Sequence, residues 1–159
     1  MVSLPSRPVK LKGPVLTQPP DFLAPSRRLT DAAVFTMLEA ARAEALRIGQ
    51  PQCIVIVDAS AVELASLRML GAKVLSLRSA RAKAMTAAST GRPSATVSEA
   101  VREQIALATE GAMTGLPGGL PILFDGAILG GIGVGSGSGA QDVEVARAAL
   151  AAIGADPVS

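Results

Sequence analysis

Between Leu29 and Gly49 the apolar positions Val34, Leu38, Ala41, Ala45 and Ile48 recur at helical spacing, which predicts an amphipathic helix lying on a core. Thr30 supplies its N-cap, Asp31 favours the positive helix end, Leu29 and Val34 are spaced for a hydrophobic staple, and Gly49 closes it. The period then changes. CIVIVD, residues 53 to 58, reads as a strand buried on both faces, and ELASLRM, 63 to 69, alternates as a second strand. The short connection favours an antiparallel hairpin, with Leu64, Ser66 and Arg68 on one face of the second strand and Ala65, Leu67 and Met69 on the other.

Residues 74 to 89, VLSLRSARAKAMTAAS, are rich in strong helix formers. The spacing puts Arg78 and Arg81 on one side of that helix and Lys83 with Thr86 on another; Gly91 and Pro93 end it. A further helix is expected from Thr96, where TVSE has capping-box spacing to Glu99, through Val101, Ile105 and Ala108 to Gly111. LPILFDGAILGGIGVG then splits at Asp125-Gly126, a strong hairpin signal, and AQDVEVARAALAAI forms a final amphipathic helix with Asp142 in its first turn.

The glycines between 115 and 142 raise a choice between phosphate binding and close packing. Gly135, Gly137 and Ala140 match the relaxed spacing G-x-G-x-x-A, but a dinucleotide unit also needs a second parallel strand, with an acidic residue to hold the ribose, and no such strand is readable after Ala140. G-x-x-x-x-G-K-[ST] is absent too. The favoured reading is that Gly130, Gly131, Gly133 and Gly135 let a helix or another subunit approach the sheet, with the last helix as the expected neighbour. A narrower functional reading gives the N–H groups of Ser138, Gly139 and Ala140 to an anion.

Composition narrows the chemistry. The core must be aliphatic, because the 159 residues include three Phe and no Trp or Tyr, which also removes the aromatic platforms on which bases stack. Five of the fifteen basic residues, Arg7, Lys10, Lys12, Arg27 and Arg28, fall in the first 28 positions against Asp21 alone, too scattered for a nucleic-acid footprint. Six of the eleven prolines lie there too, so residues 1 to 28 are expected to be an extended basic arm and 29 to 159 the domain. The arm is either a disordered tail or, through Val9, Leu11, Val15, Leu16, Phe22 and Leu23, an attachment to a neighbouring subunit in a homo-oligomer. No apolar run is long enough to span a membrane and no secretory signal is evident, so a cytoplasmic protein is expected. Cys53, the only cysteine, sits in an apolar strand and reads as a small hydrophobe.

VIVDAS at 55 to 60, SLRMLGA at 66 to 72, ARAKAMTAAS at 80 to 89, GRPS at 91 to 94, LPGGLPILFDGAILGGIGVGSGSGAQD at 116 to 142 and the Ala-rich final helix resemble the GlcG/HbpS family of heme-degrading domains. The resemblance spans roughly residues 29 to 154. It implies an α+β domain, an antiparallel sheet flanked by helices and profilin-like in outline, assembled into homo-oligomers. Its members include heme-binding proteins and the C-terminal domain behind some corrinoid adenosyltransferases. The chain departs from the family pattern where a D-A-G-G-H-like turn becomes DASAVE and R-M-D-G-A becomes Arg68-Met69-Leu70-Gly71-Ala72, and it contains no histidine. The lack of histidine removes His-based zinc sites, a His general base and the usual imidazole ligand of heme iron.

Three functions remain. The first is a small-molecule-binding protein whose family ligand is heme or another tetrapyrrole, its carboxylates meeting Arg68, Arg78, Arg81 or Arg92, with Thr86, Gly139, Ala140 and Asp142 as further contacts and no protein-bound metal. The second is a cofactor-independent enzyme, an isomerase, lyase or hydratase acting on a carbonyl or carboxylate catabolite, with Lys83 as its catalytic residue. Lysines in such helices more often snorkel to the surface, and Asp142 reads more readily as a helix-start cap than as an acid. The third is a catabolic accessory subunit tied to its partners by the arm.

Overall fold

A computed structural model describes residues 24 to 158. Helix α1, Asp31–Arg47, begins where Thr30 accepts a hydrogen bond from the Ala33 N–H. Strands β1, Cys53–Asp58, and β2, Glu63–Arg68, form the expected antiparallel hairpin. Helix α2, Ser76–Thr90, ends at Gly91, whose left-handed backbone suits glycine. Strands β3, Gly119–Phe124, and β4, Ala127–Gly135, pair antiparallel around Asp125 (φ 52°) and Gly126 (φ 74°), both in the left-handed conformation such a two-residue turn requires. The sheet order is β2-β1-β4-β3 with β1 and β4 antiparallel at its centre, an α+β architecture.

The alternation of β1 and β4 sorts the two faces. Ile54 and Ile56 pair with Val134 and Ile132 on the face covered by α1 and the C-terminal helix α4, Gly139–Ala152, where Met37, Ala41, Val145 and Ala149 complete an aliphatic core. Ile54, Ile56, Ile122 and Ile132 are fully buried, and each contributes about 1.5–3 kcal/mol by leaving water. On the opposite face Cys53, Val55 and Val57 pair with Gly135, Gly133 and Gly131, and α2 lies across them through Ala80, Ala84 and Ala88.

The glycines therefore serve close packing, but against α2 rather than the last helix. A Cβ at Gly119, Gly131 or Gly133 would collide with the Lys83, Ala84 and Ala80 carbonyl oxygens respectively. Helix and sheet meet backbone to backbone, which fixes where α2 carries its side chains.

The predicted helix from Thr96 to Gly111 is not continuous. Two single tight turns, Ser94–Thr96 and Glu99–Val101, precede a seven-residue helix α3, Arg102–Ala108. Thr96 Oγ1 donates to the Pro93 carbonyl instead of capping, and no residue of α3 is buried, so no docked face holds a longer helix together. The capping box forms instead at α4, where Ser138 and Gln141 bond reciprocally.

Candidate functional site

Helix α2 turns Lys83 inward at the C-terminal end of β4. Lys83 is 4 % exposed, neither snorkelling nor free, and its Nζ donates to the Val134 carbonyl at 2.7 Å and to Asp142 Oδ2 at 2.7 Å. Asp142 stands in the first turn of α4, where Ser138 rather than Asp142 is the cap, and its Oδ1 accepts the Gly137 N–H at 3.1 Å. The same N–H is shared with Gln52 Oε1, while Gln52 Nε2 is buried without a hydrogen-bond partner among the described residues. The pair is tightly enclosed. Gly118 (φ 108°) passes so close that a side chain there would meet Asp142 Cβ at 2.6 Å and approach Lys83 Nζ at 3.2 Å.

A cleft of about 230 Å³ opens over this pair, bounded by Lys73, Ser76, Ser136, Pro117 and Gly139. Ser136 Oγ accepts the Lys73 N–H, and Ser79 Oγ, also at the cleft, donates to the Ser76 carbonyl. Of the anion-seat amides, Ser138 N–H is occupied by Gln141 Oε1; those of Gly139 and Ala140 meet no acceptor among the described residues. Ala140 faces a separate shallow pocket beside Pro117 and Arg147.

The arginines and Thr86 lie elsewhere. Arg78 and Arg81 border a groove of about 630 Å³ between α2 and the loop after α3, opposite Met113 and Thr114 and beside Met85. Arg81 Nε donates to Glu63 Oε2 at 2.7 Å, and this bond, ahead of one with Ser66, holds the Glu63 carboxyl below its ordinary pKa. The Arg78 guanidinium has no partner among the described residues. Thr86 is buried and structural: its hydroxyl donates to the Ala82 carbonyl and accepts the Thr114 N–H, tying the groove's loop to α2. Arg68 and Arg92 are exposed and border neither cavity.

Lys83 of α2 thus comes together with Asp142 and Gly139 of α4, and Arg78 and Arg81 of α2 border one groove. Sequence reasoning missed Gln52, Gly118, Gly137, Ser136 and Lys73. Only Lys83, set in the small-residue run AKAMTAA of α2, signalled that something in the interior had to answer its charge.

Residues 29–151 match the family model described as haem degrading protein HbpS-like. The chain belongs to that family. Among curated proteins, the HbpS-like chain is 34% identical over 131 residues to the corrinoid adenosyltransferases PduO of Citrobacter freundii and Salmonella typhimurium, a match covering 79% of this chain and 37% of each of theirs. It therefore spans little more than a third of the curated relatives it matches. Among solved structures, a PduOC–heme complex superposes with a TM-score of 0.77 at 28% identity, covering 84% of this chain and 100% of that one. Protein ORFY of Klebsiella pneumoniae gives 0.77 at 26% over 84% and 97%, and a double mutant of Streptomyces reticuli HbpS gives 0.74 at 31% over 93% and 97%.

The fold is the α+β architecture that the resemblance implies. Heme iron takes His, Cys, Met or Tyr. This HbpS-like chain has no His and no Tyr. Cys53 is fully buried, its Sγ lies 3.6 Å from the Lys73 carbonyl oxygen, and burial pushes its thiol pKa up, which closes it to a metal. Met37 is equally buried, and the thioethers that line the groove beside Arg78 are those of Met85 and Met113. The residues fit the carboxylates and hydrocarbon face of a tetrapyrrole; they do not fit iron held by imidazole, phenolate or thiolate.

Proposed function

We propose that this protein binds small molecules and that a tetrapyrrole is its ligand in the groove between α2 and the loop after α3. One observation carries the reading: an unpartnered Arg78 beside the apolar edge made by Ala82, Met85 and Met113, in a relative of a protein solved with heme. Guanidinium pairs bidentately with carboxylate, and thioether side chains adapt to a flat hydrocarbon face. Absorbance titrations with heme and with iron-free protoporphyrin test it. Both bind, because the carboxylates and the hydrocarbon face rather than the iron carry the recognition, and Arg78→Ala weakens both; if neither saturates, the reading is wrong.

A second reading is favoured by the buried Lys83–Asp142 pair: a cofactor-independent isomerase, lyase or hydratase acting on a carbonyl or carboxylate catabolite, with Lys83 at the reacting group. Turnover of such substrates that is lost in a Lys83→Met variant still folded by circular dichroism supports it, and turnover unchanged in that variant refutes it.

The assembly belongs to the same proposal. Leu70, Val74 and Leu75 are 99%, 71% and 72% exposed around the approach to α2, an apolar surface that a second copy would cover. The proposed division is an arm over residues 1 to 28 and a domain from 29 to 159; residues 1 to 23 and 159 lie outside the described residues. Described residues 24 to 28 form no helix or strand, and Arg27 donates to Asp125 Oδ2 at 2.9 Å. Deleting residues 1 to 28 and measuring mass by light scattering tests the arm's part in assembly. No helix among the described residues is long and apolar enough to cross a membrane, and one buried free cysteine accords with a cytoplasmic location.

A further inference from the structure

We infer that the cleft over Lys83 is a seat for a short organic acid, bound by its carboxylate and distinct from the tetrapyrrole groove. Lys83 Nζ carries three hydrogens, of which Val134 O and Asp142 Oδ2 accept two. The third is left for the cleft that Lys83 helps to line, and a buried ammonium with an unused donor favours an acceptor there. Lys73 adds a second cation at the rim. With Asp142 as the one acid lining the cleft among the described residues, two positive charges against one negative leave a balance of one positive charge, which a monoanion neutralises and a phosphate dianion would overshoot.

Two further features select an organic monoanion. Gly139, whose N–H at the positive end of α4 has no acceptor among the described residues, lines the same space. The lip opposite is apolar, formed by Leu116, 52% exposed, and Pro117, against which a short hydrocarbon tail rests. The volume of about 230 Å³ corresponds to about seven or eight waters of liquid, room for a carboxylate carrying a few carbons and too little for a tetrapyrrole. The seat does not depend on the groove beside Arg78, and it requires binding only, not turnover.

The test is amide-detected NMR titration of the full chain with acetate, butanoate and inorganic phosphate at constant ionic strength. Butanoate is expected to shift Gly137, Gly139 and Ala140 saturably, more tightly than acetate because its tail reaches Leu116, while phosphate shifts them weakly. Lys73→Glu, a surface change that leaves the buried pair intact, weakens butanoate by about tenfold through loss and reversal of one close charge. Absence of saturable shifts at these amides overturns the proposal, as does phosphate binding as tightly as butanoate or an unchanged Kd in Lys73→Glu. Protoporphyrin should instead shift residues of the Arg78 groove, so failure of either site is seen separately from failure of the other.

Discussion

Replacing Lys83 with Met keeps most of the side-chain volume and removes the charge. Asp142, whose side chain is 4% exposed, then retains one backbone donor, the Gly137 N–H, and the Val134 carbonyl loses the ammonium that bonds it. Removing one partner of a buried ion pair costs about 3–5 kcal/mol, because the surviving charge stays out of water. For a domain of this size that is a fall in Tm of roughly 6–20 °C. Replacing both partners, Lys83→Met with Asp142→Leu, removes the stranded charge, and Gly137 N–H keeps Gln52 Oε1 as acceptor, so most of the loss is recovered. Urea denaturation of the wild type, both single variants and the double variant measures the coupling, provided the m-value is unchanged. A single-variant loss under about 1 kcal/mol, the range of solvent-exposed pairs, would refute the burial argument. So would a double variant as unstable as the sum of the singles.

Gly133→Ala places a methyl group against the Ala80 carbonyl and 2.6 Å from the Ala84 N, and should destabilise by about 3 kcal/mol in a circular-dichroism melt; Gly111→Ala, with open space around it, should cost less despite its φ of 82°. Cys53 titrates above its ordinary value in the folded chain through burial, so its contribution is complete below the ordinary thiol pKa and is lost as pH rises through the folded value. The alkaline fall in stability should therefore be smaller in Cys53→Ala, and thiol reagents should label the native protein slowly. Glu63 titrates low because Arg81 bonds it, so that contribution is present above the ordinary carboxylate pKa and lost as pH falls through the lowered one. Arg81→Ala should return Glu63 toward its ordinary value in an NMR titration, while a Glu63 value that does not move would show that Ser66 alone sustains the shift.

Local rules made the elements readable. The alternation of β2, the Asp125-Gly126 turn and the capped start of α1 are each decided within a few residues, and each stands where expected. The stretch from Thr96 to Gly111 carried a helical pattern but buries no face of its helical part, and propensity alone does not sustain a helix of that length. Glycine content announced a close approach without naming the partner; only the alternation of the completed sheet puts Gly131, Gly133 and Gly135 on the face beneath α2. The site was half legible. Lys83 and Asp142 each stood out, but their pairing depends on two helices that meet across the end of β4, and Gln52 and Gly118 carry no local pattern that points to them.

Lys83 and Asp142 are separated by 59 positions, with both strands of the β3–β4 hairpin between them. A ribosome delivers α2 well before α4, so for much of synthesis the lysine has no carboxylate to meet and the sheet has no β4 to receive the helix. Docking of α2 must wait until nearly the whole domain has emerged. The pair is therefore a late contact, one that seals the fold only when its last helix arrives. A chain cut short before Asp142 would leave an ammonium where the finished domain has a closed interior, and such a fragment would be held open by it.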